Sequence, residues 1–94
     1  VEMEMVKEND LVAIFNSIHR VMKAEKVLKR DQAEILLIPV PRQLSSDCGL
    51  AIRFAPDQQA RVAGILRTEN LHPTEIYQRL GGAYRLLEPP GKEG

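Results

Sequence analysis

Ala33-Glu34-Ile35-Leu36-Leu37-Ile38-Pro39-Val40-Pro41-Arg42-Gln43-Leu44-Ser45-Ser46-Asp47-Cys48-Gly49-Leu50-Ala51-Ile52-Arg53-Phe54 is the stretch on which the fold turns. It holds two apolar segments with no helical period between them. The first, residues 33–40, is broken only by Glu34 and is halted by Pro39 and Pro41. Proline has no N–H to give to a β-ladder, so the pair marks a strand end or a sheet edge. The second, residues 50–54, alternates. Leu50, Ile52 and Phe54 point to one side, Ala51 and Arg53 to the other. A short polar loop ending in Cys48-Gly49 joins the two. Two strands in direct succession therefore occupy the middle of the chain.

Outward from this centre the periodicity changes on both sides. Upstream, Leu11-Val12-Ala13-Ile14-Phe15 is a short run of strand formers. Asn16-Ser17 ends it, and Ser17 suits a helix N-cap because its hydroxyl can accept from an unpaired backbone N–H. Ile18, Val21, Met22 and Leu28, with Ala24 and Glu25 between them, then mark one side of a 3.6-residue period. Lys23, Lys26, Lys29 and Arg30 fall largely on the other. This predicts a helix to about Arg30, with Ile18 and Met22 facing the core, and Lys29-Arg30 suit its negative pole. Downstream, Pro56 and Asp57 open a second helix whose apolar positions are Ala60, Val62, Ala63, Ile65 and Leu66. Asn70 is its expected stop, with Pro73 just beyond. Residues 75–80 and 83–87 are strand-like and separated by Gly81-Gly82, a loop in which both residues accept positive φ without a steric penalty.

The predicted order is β-α-β-β-α-β with a possible fifth strand. Right-handed crossovers put both helices on one face of an antiparallel sheet, the ferredoxin-like α+β arrangement. Residues 1–9 form an N-terminal extension, 10–88 the single domain and 89–94, Pro-Pro-Gly-Lys-Glu-Gly, a tail disordered by composition. The second strand is apolar on both sides, so the sheet's helix-free face needs cover. A fifth strand or a second copy of the chain would supply it, and a two-fold homodimer is expected.

The 94 residues suffice for one small core. Thirteen basic residues balance thirteen acidic ones, so no sequence-wide charge draws the chain to nucleic acid or an anionic membrane. The RNA-recognition fold shares this strand order but stacks bases on aromatic residues of its middle strands. Here Phe15 and Phe54 both read as core, so no nucleic-acid partner is expected. No apolar run approaches the roughly 20 residues of a membrane span, so no membrane partner is expected either. Residues 1–5 alternate acidic and apolar side chains and lack the regions of a signal peptide. A single cysteine excludes an internal disulfide and makes the reducing cytoplasm the natural compartment.

Cys48 is the sharpest chemical candidate. A thiolate is a nucleophile where it is exposed and near a positive influence. Arg42, Ser45, Ser46 and the backbone after Gly49 could supply that setting, and the missing side chain of Gly49 leaves room near the sulfur. Asp47 opposes it, because a neighbouring carboxylate disfavours the thiolate. A packed, inert cysteine at a strand start is the alternative. Pro39 and Pro41 either end a strand or form a stiff wall that holds Arg42 beside Cys48, where its guanidinium could read an oxyanion. His19 and His72, the only histidines, lack metal-ligand spacing, so no metal is expected. Neither a nucleophile elbow nor a Gly-rich phosphate cradle is present, and no cofactor is expected.

Several of these pieces together resemble one family. Phe15-Asn16-Ser17, Ala24-Glu25-Lys26, Pro39-Val40-Pro41-Arg42 and the serine-rich loop ending Cys48-Gly49 are similar to the motifs of small bacterial and archaeal selenium/sulfur carrier-like proteins. The resemblance covers roughly residues 10–77, and the stretch from Pro39 to Gly49 is its specific part. Ile18-His19 departs from it, standing where a threonine-histidine pair is common. The resemblance implies that Cys48 carries sulfur or selenium as a persulfide or selenosulfide, between a donor enzyme and an acceptor protein. It implies a carrier rather than a stand-alone enzyme. The competing reading is a ligand-binding or subunit-assembly module with a structural cysteine.

Overall fold

Strand β1 (Leu11–Ile14) leads through Ser17 into helix α1 (Ile18–Arg30), both where the sequence places them. The Ser17 side chain accepts from the Arg20 backbone N–H at 3.2 Å, closing one open donor of the first turn. Strands β2 (Leu36–Pro39) and β3 (Leu50–Phe54) follow in succession. A 3-10 turn (Pro56–Gln58) opens helix α2 (Gln59–Thr68), and β4 (Glu75–Leu80) and β5 (Ala83–Leu87) close the chain. This computed structural model describes residues 5–44 and 48–87. Ser45, Ser46, Asp47 and the tail expected at 89–94 lie outside the described residues.

All neighbouring strands are antiparallel, in the order β2-β3-β1-β4-β5. The first four reproduce the ferredoxin-like α+β arrangement, and β5 extends its β4 edge. Gly81 and Gly82 form the two-residue β4–β5 turn, with φ of +62° and +79°. That double left-handed geometry is what the Gly-Gly pair made legible.

Both helices end with one device. Gln32 and Asn70 adopt φ of +66° and +57° just past the helix ends. The next N–H turns back: Ala33 donates to the Leu28 carbonyl and Leu71 to that of Leu66, each at 2.9 Å. This is the Schellman arrangement, and the returning residues Ala33 and Leu71 are buried. It corrects the predicted start of the second strand. Residues 33–35 leave the helix cap before pairing begins at Leu36.

One sheet face carries both helices and the main core. Leu11, Ala13, Phe15, Ile52, Phe54 and Ile76 meet Val21, Ala24, Leu28, Val62 and Leu66 there. The opposite face carries a smaller cluster of Val12, Ile14, Ile38 and Ala51. The chain covers part of it with its own segments. Val6 is buried on it, and Val40, Leu44, Tyr77 and Tyr84 pack against it. The segment bearing Val6 is pinned: Arg53 donates to the Met5 carbonyl, Arg79 to that of Val6, and the Asn9 N–H to that of Arg79. The buried Asp10 carboxylate accepts from the Lys7 N–H at 2.9 Å and lies 3.6 Å from the Arg53 guanidinium.

Helix α1 departs from expectation on one flank. Its buried side is Val21, Ala24, Val27 and Leu28, whereas Ile18 and Met22 are 42% and 43% exposed. The 3.6-residue period locates an apolar stripe but not its width. Here the stripe runs past the part that the sheet can cover.

Candidate functional site

Cys48 stands at the start of β3, where that strand lies beside the end of β1. Its sulfur is 3.1 Å from the Leu50 carbonyl oxygen in β3 and 3.5 Å from that of Phe15 just past β1, so the S–H donor has a backbone acceptor on each of two segments. The residue is half-buried, packs against the helix-side core and forms no disulfide. Its position follows from strand pairing. The Val40 N–H donates to the Gly49 carbonyl at 3.0 Å, extending the β2–β3 ladder to the residue beside the cysteine. Leu44 packs on the helix-free face and Cys48 on the helix side.

Gly49 has a φ of +76° and is exposed, and a methyl group added to it would meet no other atom within 4 Å. The space around the Gly49 Cα is therefore open apart from its chain neighbours. Glycine supplies the left-handed backbone, not the room.

Pro39, Pro41 and Arg42 line a groove of about 830 Å³ with Met5, Arg79 and Tyr84 among its walls and Ile38 in its lining. Thus Pro41 and Arg42 lie on the groove, while the Cys48 sulfur packs into the cluster on the opposite side of the sheet; Pro39 borders the groove from β2 but alternates with Ile38 and pairs with Leu50 of the helix side. Ser45 and Ser46 belong to the loop outside the described residues. Sequence reading missed Met5, Arg79 and Tyr84 as groove residues. A signal existed for two of them. Period-2 alternation along β4 and the Gly-Gly register put Arg79 opposite Tyr84.

The Phe15 carbonyl at the sulfur joins two segments of the sequence resemblance, the one at Phe15-Asn16-Ser17 and the one at Cys48-Gly49. In the third segment Glu25 pairs with Lys29 at 2.9 Å, an i,i+4 helix bridge, rather than with Lys26. His19 is exposed in the first turn of α1, and His72 lines a separate pocket of about 160 Å³ beneath α2. Among the described residues, no three His, Cys, Asp or Glu side chains converge as a metal site, and no helix is long and apolar enough to cross a membrane. Burial first, and a hydrogen bond to Glu75 second, push the Tyr77 phenol above its ordinary range.

No curated protein and no solved structure gives a match to this chain. A family model does, over residues 10–78, a span that contains β1, both helices, Cys48 and its neighbours. On that match the chain belongs to the family described as "Putative Se/S carrier protein-like".

Proposed function

We propose that this protein carries sulfane sulfur or selenium on Cys48 and passes it from a donor enzyme to an acceptor protein in the cytoplasm. The observation that carries this reading is the half-buried Cys48 thiol at a strand start in a chain of that family. A carrier thiol has to be reachable by a partner, yet held against indiscriminate reaction. The open space beside Gly49 serves the first need and the two carbonyl acceptors the second.

The step requires no oxidant. The Cys48 thiolate attacks the outer sulfur of a donor persulfide. The donor's S–S bond breaks as the new S–S bond to Cys48 forms. The donor leaves as a thiolate and takes up the proton that Cys48 released. The same exchange, run against an acceptor nucleophile, unloads the carrier, and selenium replaces the outer sulfur in the selenosulfide version. Ser45 and Ser46 would donate hydrogen bonds to the outer atom, and Gly49 would set the backbone that presents it. Pro39 and Pro41 stiffen the loop's entrance. Arg42, placed on the groove side, would engage a partner's or cargo's anionic group across the sheet edge.

A second reading, a ligand-binding or assembly module, is favoured by one observation: the groove lined by Arg42, Arg79 and Tyr84. Native thiol titration separates the two. A carrier reacts with maleimide at Cys48 while folded and gains sulfur from a desulfurase. A module with a structural cysteine does neither until denaturant is added.

A further inference from the structure

Helix α1 has two unlike flanks. One meets α2: Arg20 donates to the Asn70 carbonyl, and Arg30 pairs with Glu69 at 3.0 Å. At 100° per residue, Ile18, Met22, Glu25 and Lys29 fall on the opposite flank, toward the β2–β3 side of the sheet. That is the side on which Cys48 enters β3. The Phe15 carbonyl at the sulfur is three residues before Ile18, a Cα span of at most about 11 Å.

Two properties of this helix lack a use inside the fold. Ile18 and Met22, one turn apart, leave large apolar side chains exposed on this flank, Ile18 at the helix end nearer the thiol. The charge is also lopsided: Arg20, Lys23, Lys26, Lys29 and Arg30 stand against a single acid, Glu25, in a chain whose net charge is zero. Lys26 is exposed on the crest and Lys23 is exposed one step round toward the α2 side, and neither enters an ion pair among the described residues.

We propose that the outer face of α1 is the docking surface for the sulfur donor: Ile18 and Met22 form its apolar contact on the Cys48 side, and Lys23 and Lys26 meet an acidic patch on the donor protein. This rests on the carrier reading and deepens it. Charge complementarity selects an acidic partner and speeds its approach. The apolar pair favours a protein surface over RNA, which a basic face without exposed aromatic side chains would bind through phosphates alone.

The test compares two sulfur sources on the full chain: inorganic polysulfide, which needs no docking, and a cysteine desulfurase supplied with cysteine. Sulfur gained at Cys48 is followed by mass spectrometry. K23E/K26E is expected to slow desulfurase loading on the order of tenfold and to weaken its salt dependence. Met22→Asp is expected to slow it several-fold. Both variants should keep wild-type loading by polysulfide, and R61E/R67E on α2 should keep wild-type loading by both sources. Equal desulfurase loading of wild type and K23E/K26E overturns the proposal. So does a wild type that polysulfide loads and desulfurase does not, which leaves the carrier reading standing. A wild type that neither source loads removes the carrier reading and the docking face together. Binding of bulk tRNA that K23E/K26E abolishes, with desulfurase loading unchanged, assigns the face to RNA instead.

Discussion

The two faces of the sheet are built on different principles. The helix side is a continuous core in which β1, β3, β4 and both helices interlock around Phe15 and Phe54. The other side is a patch completed by segments outside the central strands: Val6 from before β1, Leu44 from the β2–β3 loop and Tyr84 from β5. The first face carries the stability, and the second leaves a groove. The β2–β3 loop belongs to both, with Arg42 on the groove and Cys48 on the core. The difference teaches that this fold can alter its open face without disturbing the thiol's seat.

Truncation should expose that inequality most strongly. Phe54→Ala removes a ring 1% exposed on the helix side and is expected to cost roughly 3–5 kcal/mol, a large part of a small domain's stability. Val6→Ala on the other face removes two methyl groups and is expected to cost about 1–2 kcal/mol. Urea unfolding measures both, and a larger loss for Val6→Ala breaks the comparison.

Assembly gives the next effect. Leu36 and Leu86, 40% and 52% exposed, stand on the two outer strands of the helix-free face. Pairing of two copies through that face is the expected assembly. Leu86→Lys should then shift a dimer toward monomer in light scattering. A wild type that is monomeric at tens of micromolar removes this expectation.

Gly49→Ala sharpens the account at the loop. No atom blocks the methyl group, so its cost is backbone strain alone, about 1–2 kcal/mol. A neutral result means that the backbone there relaxes without glycine.

The smallest effect is electrostatic. A hydrogen bond from Arg30 holds the Asp31 carboxyl below its ordinary value, and Arg30 also bridges to Glu69 on α2. A depressed carboxylate contributes stability above its unfolded pKa, and that contribution is lost as pH falls through the folded value. Both side chains of the pair are exposed, so Asp31→Asn should barely change stability at neutral pH and slightly flatten its decline in acid. A large change at neutral pH contradicts the surface role.

Much of the fold was legible because its signals are local. Ser17 caps α1, Gly81-Gly82 turns the last hairpin, and the alternation in residues 50–54 sets the faces of β3. The misreadings concern what lies beyond a local window. Residues 33–35 look like strand, but the cap hydrogen bond from Ala33 to Leu28 holds their start. Ile18 and Met22 look like core, because periodicity cannot tell how much of a helix the sheet will cover. At the site, sequence placed Cys48 at a strand mouth. It could not show that the sheet edge puts Arg42 in a groove on the face opposite the one where the sulfur packs.

The carrier proposal requires Cys48 to take up sulfur in the folded protein. The most direct measurement is the intact mass of the native chain after incubation with a cysteine desulfurase and cysteine. A carrier gains one sulfur atom, removed by a reducing agent, mapped to Cys48 and absent in a folded Cys48→Ser variant. No gain in the wild type, together with a thiol that maleimide labels only in denaturant, would contradict the proposal.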